Sequence, residues 1–65
     1  MSSNTLQKIR KFRNEKNLSH EVVAEQIGCS QSLYAKLENG KVKISLTTLQ
    51  KIATVLGVNI STLLD

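Results

Sequence analysis

A chain of 65 residues suffices for one small domain, whose core supplies on the order of a few kcal/mol of net stability unless a partner adds buried surface, so self-association is expected. A single cysteine excludes an internal disulfide, no hydrophobic run approaches the length of a spanning helix, and no signal-peptide pattern is present; a reducing cytoplasm is therefore expected, with no membrane partner. Nine Lys and Arg against five acidic residues, a formal charge of +4, suit a polyanionic partner.

The elements follow from local signals. Asn4 and Gln7 form a capping-box pattern, and Leu6, Ile9 and Phe12 recur at helical spacing, which predicts a first helix over 5–16, ended by Asn17. Ser19 caps a second helix over 20–27, with Glu21 in the first turn where the helix dipole favours negative charge. Gly28, Cys29 and Ser30 form a turn, and Gly28 is expected at positive φ. Ser30 caps a third helix over 31–38, which stops at Asn39–Gly40 because both residues tolerate a left-handed backbone. A basic loop over 41–44 follows. Ser45 then caps a fourth helix, in which Leu46, Leu49, Ile52, Ala53 and Leu56 form one apolar stripe, expected to be core, until Gly57 ends it. Asn59 caps a last short helix carrying Ile60, Leu63 and Leu64, and the chain reaches Asp65 still apolar, as expected of a domain cut from something longer or packed against a partner. With no strand, repeat or proline in view, the fold class is all-α, five short helices.

The segment LSHEVVAEQIGCSQSLYAKLENG, from Leu18 to Gly40, sets two helices around a three-residue turn, with small residues where a steep crossing needs them. Ala24 lies on the inner face of the first, where a larger side chain would hold the second away, and Val23, Ile27, Tyr34 and Leu37 are the facing apolar set. This is the layout of a DNA-reading helix-turn-helix. The helix IRKFRNEKNLS, the opening LSxExxAxxxG, the start Gln31-Ser32, the exit LENGK and the tail SLxTLxKIAxxLGVxxxxLL follow in matching order and spacing, so the chain resembles the Cro and phage-repressor (Xre-like) family of helix-turn-helix regulators. That resemblance implies one lambda-repressor-like DNA-binding domain over 1–65, its helix-turn-helix at about 19–38.

At about 100° per residue, Leu33, Tyr34 and Leu37 share one arc of the third helix, and Gln31, Ser32, Ala35 and Lys36 share the opposite one. Gln31 suits bidentate pairing with adenine, Ser32 a base edge or phosphate, and Lys36 a guanine or phosphate, while Ala35 allows close approach and contact with a thymine methyl. An isolated amphipathic helix would merely present such a face to solvent; the resemblance implies that Gln31, Ser32 and Lys36 face bases. Leu33 borders both arcs and is expected to be semi-buried, with an apolar contact in the groove as the alternative. Tyr34 departs from the aliphatic residue usual at its position in phage repressors and is expected to pack inward, its hydroxyl meeting a partner or water.

His20 stands where related proteins often carry a glutamine bonded to phosphate, so the resemblance implies that role, with an exposed surface histidine as the alternative. Lys41 and Lys43, with the free backbone N–H groups of their loop, suit phosphate contacts that fix register without reading sequence, and Ser30 and Arg10 are grouped with them. Lys8, Arg10, Lys11, Arg13 and Lys16 crowd the first helix, Lys36, Lys41, Lys43 and Lys51 follow the second half of the motif, and one end of the molecule is therefore the expected polyanion face. The resemblance further implies that Arg13 and Glu38 form a structural pair, because a free Glu38 near phosphates would repel DNA.

One histidine and one cysteine are too few for a zinc site, and Cys29 reads as a small apolar filler. No cofactor or metal is expected. An enzyme is disfavoured, since paired carboxylates beside a base, a nucleophile motif and a phosphate-cradling glycine loop are all missing. Two functions remain. The first is a double-stranded DNA-binding regulator, expected to repress, reading a palindromic operator as a homodimer across half-sites about 34 Å apart. Its dimer face is expected at Val55, Ile60, Leu63 and Leu64. The second is an adaptor or antitoxin-like module that binds a protein, favoured by an apolar patch around Ile60, Leu63 and Leu64, whereas the basic loop and the polar face favour the first.

Overall fold

A computed structural model describes residues 2–64. Asp65, where the apolar C-terminal run stops, lies outside them. Among the described residues there are five helices and no strand: α1 (Ser3–Glu15), α2 (His20–Ile27), α3 (Gln31–Glu38), α4 (Leu46–Leu56) and α5 (Ile60–Leu63).

One device starts four of them. The hydroxyls of Ser2, Ser19, Ser30 and Ser45 accept the N–H groups of Thr5, Val22, Leu33 and Thr48, and Asn59 accepts from Ser61, so each helix has a side-chain oxygen on one of its otherwise unpaired N–H groups. The first cap corrects the expectation at Asn4. Ser2 caps α1 instead, its Oγ 3.2 Å from the Thr5 nitrogen, because that start turns Thr5 into the interior and leaves Asn4 exposed in the first turn. One device also ends four of them. N–H groups of Leu18, Cys29, Lys41 and Val58 reach back to the carbonyls of Arg13, Ala24, Lys36 and Ala53, with Asn17, Gly28, Gly40 and Gly57 at φ of 56°, 84°, 83° and 70°. At Gly28 a Cβ would meet nothing within 4 Å, so glycine is suited there by backbone conformation alone.

These signals place α2 against α3 and α4, while α1 packs on α3, α4 and α5. Ala24 is 1% exposed at the α2–α3 crossing. Ile9, Val23, Leu49, Ile52 and Leu56 fill the centre. The stripe on α4 begins later than expected: Leu46 is 64% exposed, standing at the first helical position and overhanging the core. Ile44, from the loop expected to be basic, is buried in the core cluster, while its neighbour Lys43 points out.

Candidate nucleic-acid interface

α2 packs against one side of α3 and leaves another face of it open. Gln31, Ser32 and Lys36 are exposed there and Ala35 is partly covered. Leu33 is more open than expected, at 39%, and belongs to this outer face. Tyr34 turns fully inward, its ring tilted against His20 with centroids 5.6 Å apart. Its hydroxyl lies beside the Glu38 carboxylate without a hydrogen bond of good geometry. Burial, and then that neighbouring carboxylate, push the phenol pKa up.

Glu38, the last residue of α3, is the centre of a buried polar group. Arg13 donates Nε to Oε2 at 2.9 Å and Nη2 to Oε1 at 2.9 Å, a two-point contact, while its Nη1 donates to the Leu18 carbonyl at 2.8 Å. Burial alone would raise the Glu38 carboxyl, but hydrogen bonds and charge from Arg13 outweigh it and hold the group below its ordinary pKa. The Glu38 hydrogen bond in turn raises Arg13. His20, expected on phosphate, also faces this group, with Nε2 3.3 Å from Glu38 Oε1. Arg10, expected likewise on phosphate, donates Nη1 to the Glu38 main-chain carbonyl at 2.8 Å.

Two clefts flank α3. One of about 260 Å³ brings Arg10, Arg13 and His20 beside Ala35, Glu38 and Asn39. The other, about 340 Å³, brings Lys43 and Lys51 beside Leu33. The sequence pattern marks Lys51 only as one of the basic residues; its place beside α3 depends on how α4 packs, which no local pattern conveys. The loop differs from expectation in one respect: the Lys41 and Val42 N–H groups are already bonded to the Lys36 carbonyl, at 2.9 and 3.3 Å, so these two are not free for an anion. The side chains of Lys41 and Lys43 stay exposed. Ser30 Oγ accepts the Leu33 N–H at 3.0 Å, which leaves its hydroxyl proton available to a phosphate.

The expected dimer face divides. Leu63 is 0% exposed and fills the chain's own core, so its side chain is removed from that face. Val55 and Ile60 are half-buried and Leu64 is exposed. Among the described residues no group of three His, Cys, Asp or Glu could hold a metal ion, and no helix is long and apolar enough to cross a membrane.

A helix-turn-helix family model matches residues 9–63, nearly all of this architecture. The chain belongs to that family of DNA-binding transcriptional regulators. This helix-turn-helix regulator is 44% identical over 57 residues to the control protein C.MunI of a Mycoplasma species, covering 86% of this chain and 77% of C.MunI. It is 37% identical over 60 residues to the transcriptional regulator SinR of Bacillus subtilis, covering 91% of this chain and 54% of SinR. The regulator thus spans about half the length of SinR. A crystal structure of SinR, described as the master regulator for biofilm formation, in complex with DNA superposes with a TM-score of 0.82 at 34% identity, over 94% of this chain and 98% of that one. Hydroxypropylphosphonic acid epoxidase from S. wedmorenis superposes too, with a TM-score of 0.83 at 30% identity over 95% of this chain. Since the regulator spans only 33% of that enzyme, the likeness is one of a shared fold. The two relatives similar in sequence are named a control protein and a transcriptional regulator.

Proposed function

We propose that the chain is one DNA-reading domain that binds a palindromic double-stranded operator in the cytoplasm as a homodimer, with α3 in the major groove and repression as the output. The observation that carries this reading is the open face of α3: Gln31, Ser32 and Lys36 exposed with Ala35 between them, flanked on one side by the cleft that holds Lys43 and Lys51 and on the other by His20. A polar, small-residue surface bordered by cations suits base edges between two phosphate rows. Gln31, Ser32, Ala35 and Lys36 then meet bases. His20, Ser30, Lys41 and Lys43 meet phosphates, and Lys51 joins them from α4. The adaptor alternative drew on an apolar patch that shrinks once Leu63 is buried.

Reading and positioning contacts should fail differently. Gln31→Ala removes a bidentate partner and should cost about 1–3 kcal/mol per half-site on the operator, with much less lost on random duplex. Lys43→Ala should weaken all sequences alike and lower the salt slope by about 1 per monomer. The test is selection of bound sites from random duplexes, followed by titrations of wild type and both variants at several salt concentrations. An enriched two-fold-symmetric motif supports the reading. No enrichment together with no salt-dependent binding overturns it, and an unchanged operator-to-random ratio in Gln31→Ala removes α3 as the reader.

A further inference from the structure

Three of the cations along α1 and its C-cap lie against the ends of other helices, while Lys11 and Lys16 remain exposed. Lys8 Nζ donates to the carbonyl of Leu64, the C-cap of α5, at 3.1 Å. Arg10 donates to the carbonyl of Glu38, the last residue of α3, at 2.8 Å. The Lys16 ammonium lies beside Gly57, the C-cap of α4, where an added Cβ would meet Nζ at 3.2 Å. Helix C-termini carry unpaired carbonyls and the negative end of the dipole, which matches the Arg10 guanidinium to the end of α3.

At α3 the arrangement is doubled. Arg10 and Arg13, nearly one turn apart on α1, hold the same residue, the first by its main-chain carbonyl and the second by its carboxylate. Tyr34 and Leu37 already anchor α3 in the core, and two polar contacts from separate points of α1 add resistance to tilt as well as translation at its C-terminal end. We propose that Arg10 is a positioning residue that orients α3 for reading through the Glu38 carbonyl, and is not one of the phosphate ligands. This rests on the DNA-reading function above. Gln31 stands at the opposite end of α3, about 10 Å from Glu38 along the axis, so a tilt of about 5° displaces its amide by about 1 Å. That exceeds the tolerance of about 0.5 Å within which a recognition group must be held.

The test uses the whole chain with Arg10→Ala and Arg10→Met. For Arg10→Ala, binding to random duplex and its salt slope should stay at wild-type values, while operator affinity falls by about tenfold, the loss of one charged hydrogen bond. In the free protein, exchange of the Lys41 and Val42 amides, which close on Lys36 across the end of α3, should accelerate without global unfolding. A salt slope lowered by about 1 per monomer with equal loss on both duplexes would make Arg10 a phosphate ligand and overturn the proposal. A lower melting temperature with unchanged operator-to-random ratio and unchanged local exchange would reduce Arg10 to general stability and overturn it too. Should Arg10→Ala fail to fold, Arg10→Met decides: the aliphatic stem stays while the donor is lost, so a wild-type ratio and wild-type exchange count against the directed contact. If the wild type binds no duplex, the functional reading falls, and the exchange measurement separately decides whether Arg10 holds α3.

Discussion

At Glu38 burial and pairing oppose each other, and pairing wins. The carboxylate is 3% exposed, yet Arg13 keeps it ionised. Glu38→Ala leaves Arg13 in a largely buried place without its partner and should destabilise the fold by about 2–4 kcal/mol, read by thermal or denaturant melting. The pH dependence has a definite sign. Because the folded carboxyl titrates below its ordinary 4.5, its contribution is complete above that value and fades as pH falls through the lower, folded one. Wild type should therefore lose stability on acidification more steeply than Glu38→Gln; parallel curves would mean that the pair contributes nothing. Tyr34 offers the converse case, a buried hydroxyl without a well-formed hydrogen bond. Tyr34→Phe removes that unmet polar atom and should be neutral or stabilising by up to about 1 kcal/mol, whereas a clear loss in melting would reveal a bond that the geometry does not support.

At the scale of elements, what was legible in the sequence was what is decided locally. Ser19, Ser30 and Ser45 cap helices at the expected places, and Gly28, Gly40 and Gly57 end them, because capping and left-handed turns involve neighbours a few residues apart. At the N-terminus two oxygens competed, and Ser2 prevails over Asn4 because its start buries Thr5, a tertiary consequence. Periodicity placed Leu46 in line with Leu49, but it cannot say how far a stripe extends before it overhangs; Ile44 fills the core from the loop instead. Leu49→Ala should accordingly cost about 2–5 kcal/mol through lost burial and a cavity, and Leu46→Ala below about 1 kcal/mol. Comparable losses in denaturant melts would place Leu46 in the interior. The cations of α1 were the least legible part of the candidate site: their number pointed to a polyanion, while their partners are carbonyls distant in sequence, on Glu38 and Leu64.

For the whole molecule, the reading face proposed for a single α3 would offer few base contacts, so strong operator binding would call for a second copy, and the two C-terminal leucines separate fold from assembly. Leu63 is 0% exposed in the core, whereas Leu64 is 37% exposed beyond the end of α5, near the half-buried Ile60 of the same helix. Leu63→Ala should lower stability by about 2–5 kcal/mol and weaken DNA binding only in proportion to the unfolded fraction. Leu64→Lys should leave the melting temperature nearly unchanged, within about 0.5 kcal/mol, since its side chain reaches solvent in the monomer. Across a two-fold axis, however, it would set like charges against each other in a desolvated place. Linked half-sites raise overall affinity by about 10²-fold or more without new contacts, so Leu64→Lys should lose about that factor on the palindrome and nothing on an isolated half-site. The sign makes the test sharp, because an added cation favours non-specific DNA binding and so cannot itself explain a loss. Sedimentation at micromolar concentration should show wild type, but not Leu64→Lys, moving toward dimer; if both remain monomeric free and on the palindrome, the two chains do not meet through α5.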